Sequence, residues 1–182
     1  MAAGRDLEEK LKSYIRTIPD FPQKGILFRD VTTLFKDAKC LEIMEEEMYE
    51  LYKDKGITKV VGIEARGFIF GAILAAGLGA GFVPLRKPGK LPAKTIKKTY
   101  TKEYGEDTIE IHEDSIGEND VVLMHDDLLA TGGTMAAAID LVNTMNPKKI
   151  YVNFICELVD LKGRTKFPSD VEVTSLFDFE GE

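Results

Sequence analysis

The fold is decided by the stretch Val121-Val122-Leu123-Met124-His125-Asp126-Asp127-Leu128-Leu129-Ala130-Thr131-Gly132-Gly133-Thr134. Four apolar residues open it, and a short apolar run bounded by turn residues is typical of a buried strand. Two carboxylates and a turn of small residues come next. Beyond the turn, apolar residues recur at helical spacing in Met135, Ala138, Ile139, Val142 and Met145. The stretch therefore predicts a strand, a tight turn and a helix.

The glycine turn after this strand has the composition of an anion-binding site. Backbone N–H groups at a helix N-terminus lack partners within the helix, and the helix dipole favours negative charge there. The glycines let the chain curl round an anion, and the threonine hydroxyls can add donors. The residues predicted to bind phosphate are Ala130, Thr131, Gly132, Gly133 and Thr134.

Asp126 and Asp127 require a different ligand group. Carboxylates repel a phosphate but accept hydrogen bonds, and the 2′- and 3′-hydroxyls of a ribose can donate them. A phosphate cradle beside these acceptors predicts a site for a ribose 5-phosphate. The alternative is an ordinary strand, turn and helix with two solvated aspartates. No Lys follows the glycines, so the turn is not a nucleotide P-loop, and the glycine spacing of dinucleotide-binding motifs is absent.

The same stretch resembles the phosphoribosyl pyrophosphate motif of the type I phosphoribosyltransferases. Its Asp-Asp-Leu-Leu-Ala-Thr-Gly-Gly-Thr form is similar to the motif of the adenine-specific branch. The resemblance extends from the N-terminal segment to Lys162-Gly163-Arg164. It implies an α/β fold, with a mostly parallel central sheet flanked by helices and a small N-terminal hood over the active site.

Length and composition agree with such a fold. The chain has 182 residues, of which 44% are hydrophobic and 30% charged, enough for one domain with a substantial core. We expect a single domain over 1–182, with the hood at roughly 1–36 and the core at roughly 37–182. Asp6 and Glu9 have the spacing of a capping box at the start of a first helix, and Asp37 is placed to cap a second.

The net charge and the apolar pattern exclude several classes of protein. The formal net charge of −7 argues against nucleic-acid binding as the main activity. No apolar run reaches about 18 residues, and the N-terminus lacks the apolar segment of a signal peptide, so we expect a cytoplasmic protein without a membrane partner. Cys40 and Cys156 lack metal-ligand or redox spacing and are expected to be buried thiols.

Two segments resemble the adenine-binding parts of the family. Residues 25–31 form a short extended segment, and the resemblance assigns Leu27, Phe28 and Arg29 to the base. In the family, main-chain groups there contact the purine edge and the aromatic ring stacks on its face. Leu158, at the carboxyl end of a predicted strand, resembles the second wall of the base pocket. Phe28 as an ordinary core residue is the alternative.

Two further segments follow predicted strands and resemble the family's pyrophosphate-binding loops. Arg66 lies at the strand end where open α/β sheets place ligands. The family's equivalent loop binds pyrophosphate through its backbone and Arg, often after a non-proline cis peptide, and Ala65 stands where a Ser is frequent. The second segment is a rigid loop with three cations, Arg86, Lys87 and Lys90. A solvated loop is the alternative for both segments.

Residues 94–112 resemble the family's mobile hairpin, which closes over the active site. The resemblance implies that Tyr104 contacts the donor and that Glu103 is the general acid or base. Attack by N9 of adenine requires a proton to be removed or placed at N7, which a positioned carboxyl can do. A solvated loop glutamate is the alternative. His125 departs from the family, where a small aliphatic residue is usual, and we expect it to be structural.

The resemblance implies a reaction of purine salvage. The 5-phosphoribosyl group would pass from 5-phosphoribosyl 1-pyrophosphate to N9 of adenine, giving AMP and pyrophosphate. Mg²⁺ would be held mainly by substrate oxygens and water, and the sequence assigns it no direct protein ligand. A homodimer is also implied, with the Arg86 to Lys90 loop near its interface. Two rivals remain open: a transferase for hypoxanthine, guanine or xanthine, and a non-enzymatic sensor of metabolites.

Overall fold

The computed structural model describes residues 4–21, 23–101 and 105–180. The helices of these ranges are α1 (Arg5–Tyr14), α2 (Thr32–Phe35), α3 (Ala38–Tyr52), α4 (Arg66–Gly77) and α5 (Gly133–Asn143). The strands are β1 (Arg16–Pro19), β2 (Leu27–Asp30), β3 (Lys59–Ile63), β4 (Gly81–Leu85), β5 (Thr95–Thr101), β6 (Glu106–His112), β7 (Val121–Leu129), β8 (Lys149–Leu158) and β9 (Glu172–Phe179). Two short 3-10 helices follow β8, at Val159–Leu161 and Gly163–Lys166.

Five strands form the central sheet, in the order β4-β3-β7-β8-β9. Every neighbouring pair in this sheet is parallel. Helices connect successive strands, as α4 does between β3 and β4 and α5 between β7 and β8. The predicted α/β fold with a parallel central sheet is therefore confirmed. The carboxyl ends of β3, β4 and β7 meet at one edge, where open sheets of this kind bind ligands.

Two antiparallel hairpins lie outside the central sheet. In the first, β1 pairs with β2, and the Arg16 guanidinium donates to the Asp30 carboxylate at 2.6 and 3.2 Å. In the second, β5 pairs with β6, and a bridge between Arg86 and Glu110 attaches this hairpin beyond the end of β4. The second hairpin is thereby held at the carboxyl edge of the sheet.

The helix starts test two predicted caps. The Asp37 carboxylate accepts the Cys40 N–H at 3.0 Å, so the cap of α3 is confirmed. The capping box at α1 is wrong, because the N-cap is Gly4 and no side chain bonds there. The helix begins one residue before Asp6, which places that carboxylate in the first turn, where the helix dipole still favours it.

The core divides into two apolar clusters. One includes Leu11, Leu34, Met44 and Phe70 and contains residues of all four helices α1 to α4. The other packs residues of α5, such as Ile139, against β4, β6, β7 and β8. Because α1 and α2 contribute to the first cluster, the expected hood shares its core with the sheet. A shared core supports a single domain that includes the hood. The boundary of the hood at roughly residue 36 stays a prediction.

The burial of the cysteines and the length of the helices were both predicted from the sequence. Cys40 and Cys156 are both buried in the first cluster, as predicted. None of the helices in the described ranges has both the length and the apolar composition needed to span a bilayer.

A row of hydrogen-bonded polar side chains crosses the central sheet at β7, β8 and β9. Nδ1 of His125 lies 2.8 Å from Oδ1 of Asn153, whose Nδ2 donates to the Thr174 hydroxyl at 3.2 Å. The Thr174 hydroxyl also bonds to that of Tyr52 on α3. Burial lowers the pKa of His125 to about 4, so its ring is neutral at pH 7. This fits the structural role expected from the sequence.

We predict that His125 makes the fold sensitive to acid. The pKa falls from 6.5 to about 4 on folding, so the unfolded chain binds the proton first as pH falls below 6.5. The stabilisation lost between these values is roughly 3 kcal/mol. Denaturant unfolding at several pH values measures it.

His125→Val removes this titration, so the variant should lose less stability than the parent between pH 6.5 and 4. His112→Gln is the matched control, because it leaves His125 in place and should retain the dependence. Equal slopes for the parent and His125→Val would contradict the prediction.

Candidate active site

The acidic pair lies on β7 itself, since the strand continues to Leu129. Successive side chains of a strand leave it in opposite directions, yet both carboxylates lie near the start of α4. Asp127 accepts from Arg66, and a side-chain carbon at Gly67 would lie 3.1 Å from Oδ1 of Asp126. Asp127 is only 2% exposed, whereas Asp126 is half-buried and lines two pockets. The sequence predicted one role for both carboxylates, and the structure gives them different surroundings.

Arg66 binds the buried member of the pair. It is the first residue of α4, and its Nε donates to the Asp127 carboxylate. The peptide between Glu64 and Ala65 just before it is cis, which agrees with the resemblance. A side-chain carbon at Gly67 would lie 2.8 Å from the His125 carbonyl oxygen, so α4 approaches β7 closely only because a glycine stands there.

Asp126 is the acceptor that faces the pockets. Burial raises the pKa of Asp126 well above its usual range, and the nearby negative charge of Asp127 raises it further. One pocket, of about 210 Å³, is lined by Ile63, Glu64, Leu85, Arg86, Lys87, Ile109, Asp126 and Thr134. The other, of about 110 Å³, is lined by Asp126, Leu128, Leu129, Ala130, Thr131, Gly132, Gly133, Thr134, Met135 and Phe154. One carboxylate thus borders both the basic loop and the glycine turn.

Carboxylates orient the basic loop at the end of β4. Glu64 accepts from the Arg86 side chain at 3.0 and 3.3 Å and from the Lys87 backbone N–H at 2.9 Å. The hydrogen bond from Arg86 lowers the pKa of Glu64. Nζ of Lys87 donates to Asp107 on β6, and the exposed Lys90 accepts from Arg86 through its carbonyl at 3.3 Å. The three predicted cations therefore share one rigid loop.

The glycine turn forms the N-terminus of α5. Gly132 is the N-cap, with φ of +76°, and no side chain caps the helix there. Thr134 in the first turn shares a 2.9 Å hydrogen bond with the Tyr100 hydroxyl, which connects the second hairpin to the turn. The turn thus has the conformation of a helix N-terminus that can receive an anion.

The predicted base segment lies against Arg66. Phe28 on β2 is half-buried, and its ring lies 6.0 Å from the Arg66 guanidinium carbon and 5.1 Å from the Phe21 ring. It belongs to neither core cluster, which disfavours the alternative of an ordinary core residue. Leu27 is 40% exposed.

Phe179 links Arg29 to the strand end that carries Leu158. The Arg29 guanidinium lies 4.4 Å from the centre of the Phe179 ring and donates to Thr17 at 2.7 Å. Phe179 is the partner of Leu158 in the register of β8 and β9. This arrangement brings β2 to the carboxyl end of β8, where the second wall of the base pocket was expected.

The sequence did not assign three contacts of this edge. Glu64, Asp107 and Tyr100 orient the predicted cations and Thr134, but their partners are 20 or more residues away along the chain. Of the three, only Glu64 could have been found from the sequence, because it directly follows β3, at the strand end where ligands bind. Glu103 and Tyr104 lie outside the described residues.

We predict that Gly132→Ala damages the turn. The backbone there is left-handed, and the added carbon would lie 2.5 Å from the Gly163 carbonyl oxygen. The free energy of unfolding should fall by roughly 1–3 kcal/mol, and affinity for ribose 5-phosphate should fall at least about tenfold. Denaturant unfolding and calorimetric titration measure the two effects.

Gly133→Ala is the matched control for stability, because the nearest atom to its added carbon is Nζ of Lys166 at 3.9 Å. We expect this variant to unfold within about 0.5 kcal/mol of the parent. A Gly132→Ala chain as stable as Gly133→Ala would show that the turn tolerates a side chain.

Comparisons with known proteins assign this arrangement to a family. Residues 30–181 match the family model described as "Phosphoribosyl transferase domain". Adenine phosphoribosyltransferase of Bacteroides thetaiotaomicron is 65% identical over 93% of this chain and 96% of its own.

Two solved structures agree with that match. Adenine phosphoribosyltransferase of Rhodothermus marinus superposes with a TM-score of 0.91, at 46% identity, over 97% of this chain and 100% of that one. The Giardia lamblia APRTase complexed with 9-deazaadenine has a TM-score of 0.90 at 45% identity, over 95% and 98% of the two chains. The glycine turn, the acidic strand end and the basic loops thus lie in a chain that belongs to the adenine phosphoribosyltransferase family.

Proposed function

We infer that this chain transfers the 5-phosphoribosyl group of 5-phosphoribosyl 1-pyrophosphate to N9 of adenine, forming AMP and pyrophosphate in purine salvage. One observation carries the inference: Asp126 and the glycine turn of residues 130–134 line the same pocket. A helix N-terminus suits the 5-phosphate, and a carboxylate suits a ribose hydroxyl. The relatives' shared name, adenine phosphoribosyltransferase, supports the choice of adenine.

The ribose 5-phosphate half of the donor occupies the turn in this proposal. Backbone N–H groups of Ala130 to Thr134 donate to the phosphate, and the hydroxyls of Thr131 and Thr134 add donors. Asp126 accepts from the ribose hydroxyls, because it is the acidic residue that faces the pocket. Its carboxylate also lies near the sugar carbon, where positive charge develops as pyrophosphate leaves.

The pyrophosphate half lies toward the basic loops. Arg66, Arg86, Lys87 and Lys90 supply the cations, and oriented cations stabilise the charge that builds on the leaving group. Support comes from the pocket of about 210 Å³, which Arg86 and Lys87 line together with Asp126. The protein then accelerates the reaction mainly by holding N9 of the base close to the sugar carbon and correctly oriented for attack.

Magnesium fits the chemistry of this edge without a protein cage. In the described ranges, no group of three or more His, Cys, Asp or Glu side chains is placed to hold a metal ion. Mg²⁺ usually keeps several waters and binds through one or two carboxylates and substrate phosphates. Asp126 would hold the hydrated ion with substrate oxygens, since the Glu64 carboxylate is engaged by Arg86. When bound, the ion neutralises charge on the pyrophosphate.

Adenine stacks on Phe28 in this proposal. Main-chain groups of Leu27 and Arg29 contact the purine edge, and Leu158 forms the opposite wall. The half-buried ring of Phe28 beside Arg66 supports this placement, because it sets the base next to the pyrophosphate site. The complex of the Giardia lamblia APRTase with 9-deazaadenine supports a base of this shape.

Adenine should be strongly preferred to hypoxanthine. A site that donates to N1 and accepts from the 6-amino group leaves polar groups unpaired against a 6-oxo base, which lowers kcat/KM by about 10⁴ or more. The assay compares formation of labelled nucleotide from adenine, hypoxanthine and guanine with the same donor. Comparable turnover of adenine and a 6-oxo purine would favour the rival transferase, and no turnover of any base would favour the sensor.

Glu103 is the proposed general acid or base, and Tyr104 beside it the proposed donor contact. The family resemblance of this segment supports both roles. Glu103→Gln keeps the size and hydrogen bonding of the side chain but cannot exchange the proton. We predict a fall in kcat of at least about 100-fold with near-normal affinity for adenine.

Single-turnover kinetics separates the chemical step from product release in this test. Glu106→Gln, on an exposed glutamate at the start of β6, is the matched control and should stay within about twofold of the parent. A chemical step within about twofold of the parent in Glu103→Gln would make Glu103 an ordinary loop glutamate.

A homodimer and a cytoplasmic location belong to the same proposal. The loop from Arg86 to Lys90, in which residues 88–90 are exposed, follows the edge strand β4, where a second copy could approach it. Cys40 is a buried thiol, which agrees with a reducing compartment.

A further inference from the structure

One cross-strand pair of the second hairpin contacts two separate parts of the site. Tyr100 on β5 and Asp107 on β6 are partners in the register of that hairpin. The Tyr100 hydroxyl lies 2.9 Å from the Thr134 hydroxyl in the glycine turn. The Asp107 carboxylate accepts from Nζ of Lys87 in the basic loop. A single pair thus engages a group proposed for the 5-phosphate and a group proposed for the pyrophosphate.

The two members of the pair are also bonded to each other. The Tyr100 hydroxyl donates to Oδ2 of Asp107 at 3.4 Å, and the same oxygen accepts from Lys87. An ionised carboxylate can only accept, so this bond directs the hydroxyl hydrogen of Tyr100 toward Asp107. The Tyr100 oxygen then accepts from the Thr134 hydroxyl, which has one hydrogen. In this arrangement Thr134 and Lys87 both donate to the hairpin.

These contacts compete with the phosphate groups of a ligand. Thr134 and Lys87 both line the pocket of about 210 Å³. A phosphate that accepts from the Thr134 hydroxyl must take its hydrogen away from Tyr100. A pyrophosphate beside Lys87 would lie close to the negative charge of Asp107, and like charges repel. The connected pair must therefore be displaced when either phosphate group binds.

The strands of the hairpin are fixed, whereas the pair lies near its open end. Ile109 and Ile111 on β6 are buried in the second apolar cluster. Glu110 exchanges two backbone hydrogen bonds with Arg86, at 2.8 and 2.9 Å. The next positions beyond the pair, Thr101 and Glu106, are exposed. Rotation of two side chains can thus release Thr134 and Lys87 without movement of the strands.

We propose that Tyr100 and Asp107 make the site selective for a ligand that carries both a 5-phosphate and a pyrophosphate. The proposal rests on the proposed function and deepens it. A ligand with one of the two groups must displace the whole pair but gains only one set of contacts. The complete donor displaces the pair once and gains both sets. Two fragments that bind together share this cost, so each should strengthen binding of the other.

Ribose 5-phosphate and pyrophosphate are the fragments that test this coupling. Calorimetric titration, with Mg²⁺ present, gives the dissociation constant of pyrophosphate with and without saturating ribose 5-phosphate. The ratio of the two constants measures the coupling in each chain. We expect the ratio in the parent to exceed that in Asp107→Asn and in Tyr100→Phe by at least about fivefold. Direct repulsion between the fragments is common to all the chains and cancels in this comparison.

The two variants act on different ends of the pair. Asp107→Asn removes the charge beside Lys87, so it should bind pyrophosphate alone at least about threefold more tightly than the parent. Tyr100→Phe removes the acceptor of Thr134, so it should bind ribose 5-phosphate alone at least about threefold more tightly. Glu106→Gln is the matched control, because it removes the same charge at the next, exposed position of β6. It should bind each fragment within about twofold of the parent.

Weaker binding of pyrophosphate by Asp107→Asn would overturn the inference, because Asp107 would then assist Lys87 instead of competing for it. Equal coupling in the parent and both variants would overturn it as well. Both results leave the proposed function standing if the parent forms AMP from adenine. A parent that binds neither fragment, alone or together, also overturns the inference, and the proposed function falls with it if no AMP forms.

Discussion

Parallel pairing of β7 between β3 and β8 is the constraint on which the site depends. The ladder sets Gly62 of β3 beside His125 and Phe154 of β8 beside Asp126. At this level α4 approaches β7 so closely that a side chain at Gly67 would meet the His125 carbonyl. The position of the first residue of α4 is fixed by that approach. One backbone register therefore places both the acidic strand end and the arginine that binds it.

The row of buried polar side chains that crosses the central sheet stabilises the register of β7 as well. Hydrogen bonds connect His125, Asn153, Thr174 and Tyr52, on three strands and one helix. Each bond contributes about 1 kcal/mol net, but a member that loses its partner incurs the full cost of burying a polar group. A shift of β7 relative to β8 would break the row, and Asp126, next along the strand, would move with it.

Local sequence patterns predicted the helices and strands. They could not predict contacts between residues that are far apart in the sequence. Apolar runs and the Asp37 cap depend on neighbours in sequence, and both were confirmed. The cap at Asp6 was wrong because a backbone group of Gly4 opens the helix instead. The apolar run alone does not show that β7 continues through both aspartates, and so the burial of Asp127 against Arg66 was missed.

The cations of the site are held by carboxylates, which is how a chain with a net charge of −7 keeps several positive groups close together. The pairs are Arg66 with Asp127, Arg86 with Glu64 and Lys87 with Asp107. Each carboxylate reduces the repulsion between neighbouring cations and sets the direction of one. The Asp127 side chain is 2% exposed, against 19% for Glu64 and for Asp107. Because water and salt screen a buried charge least, the contact of Arg66 with Asp127 is the strongest electrostatic constraint among the three.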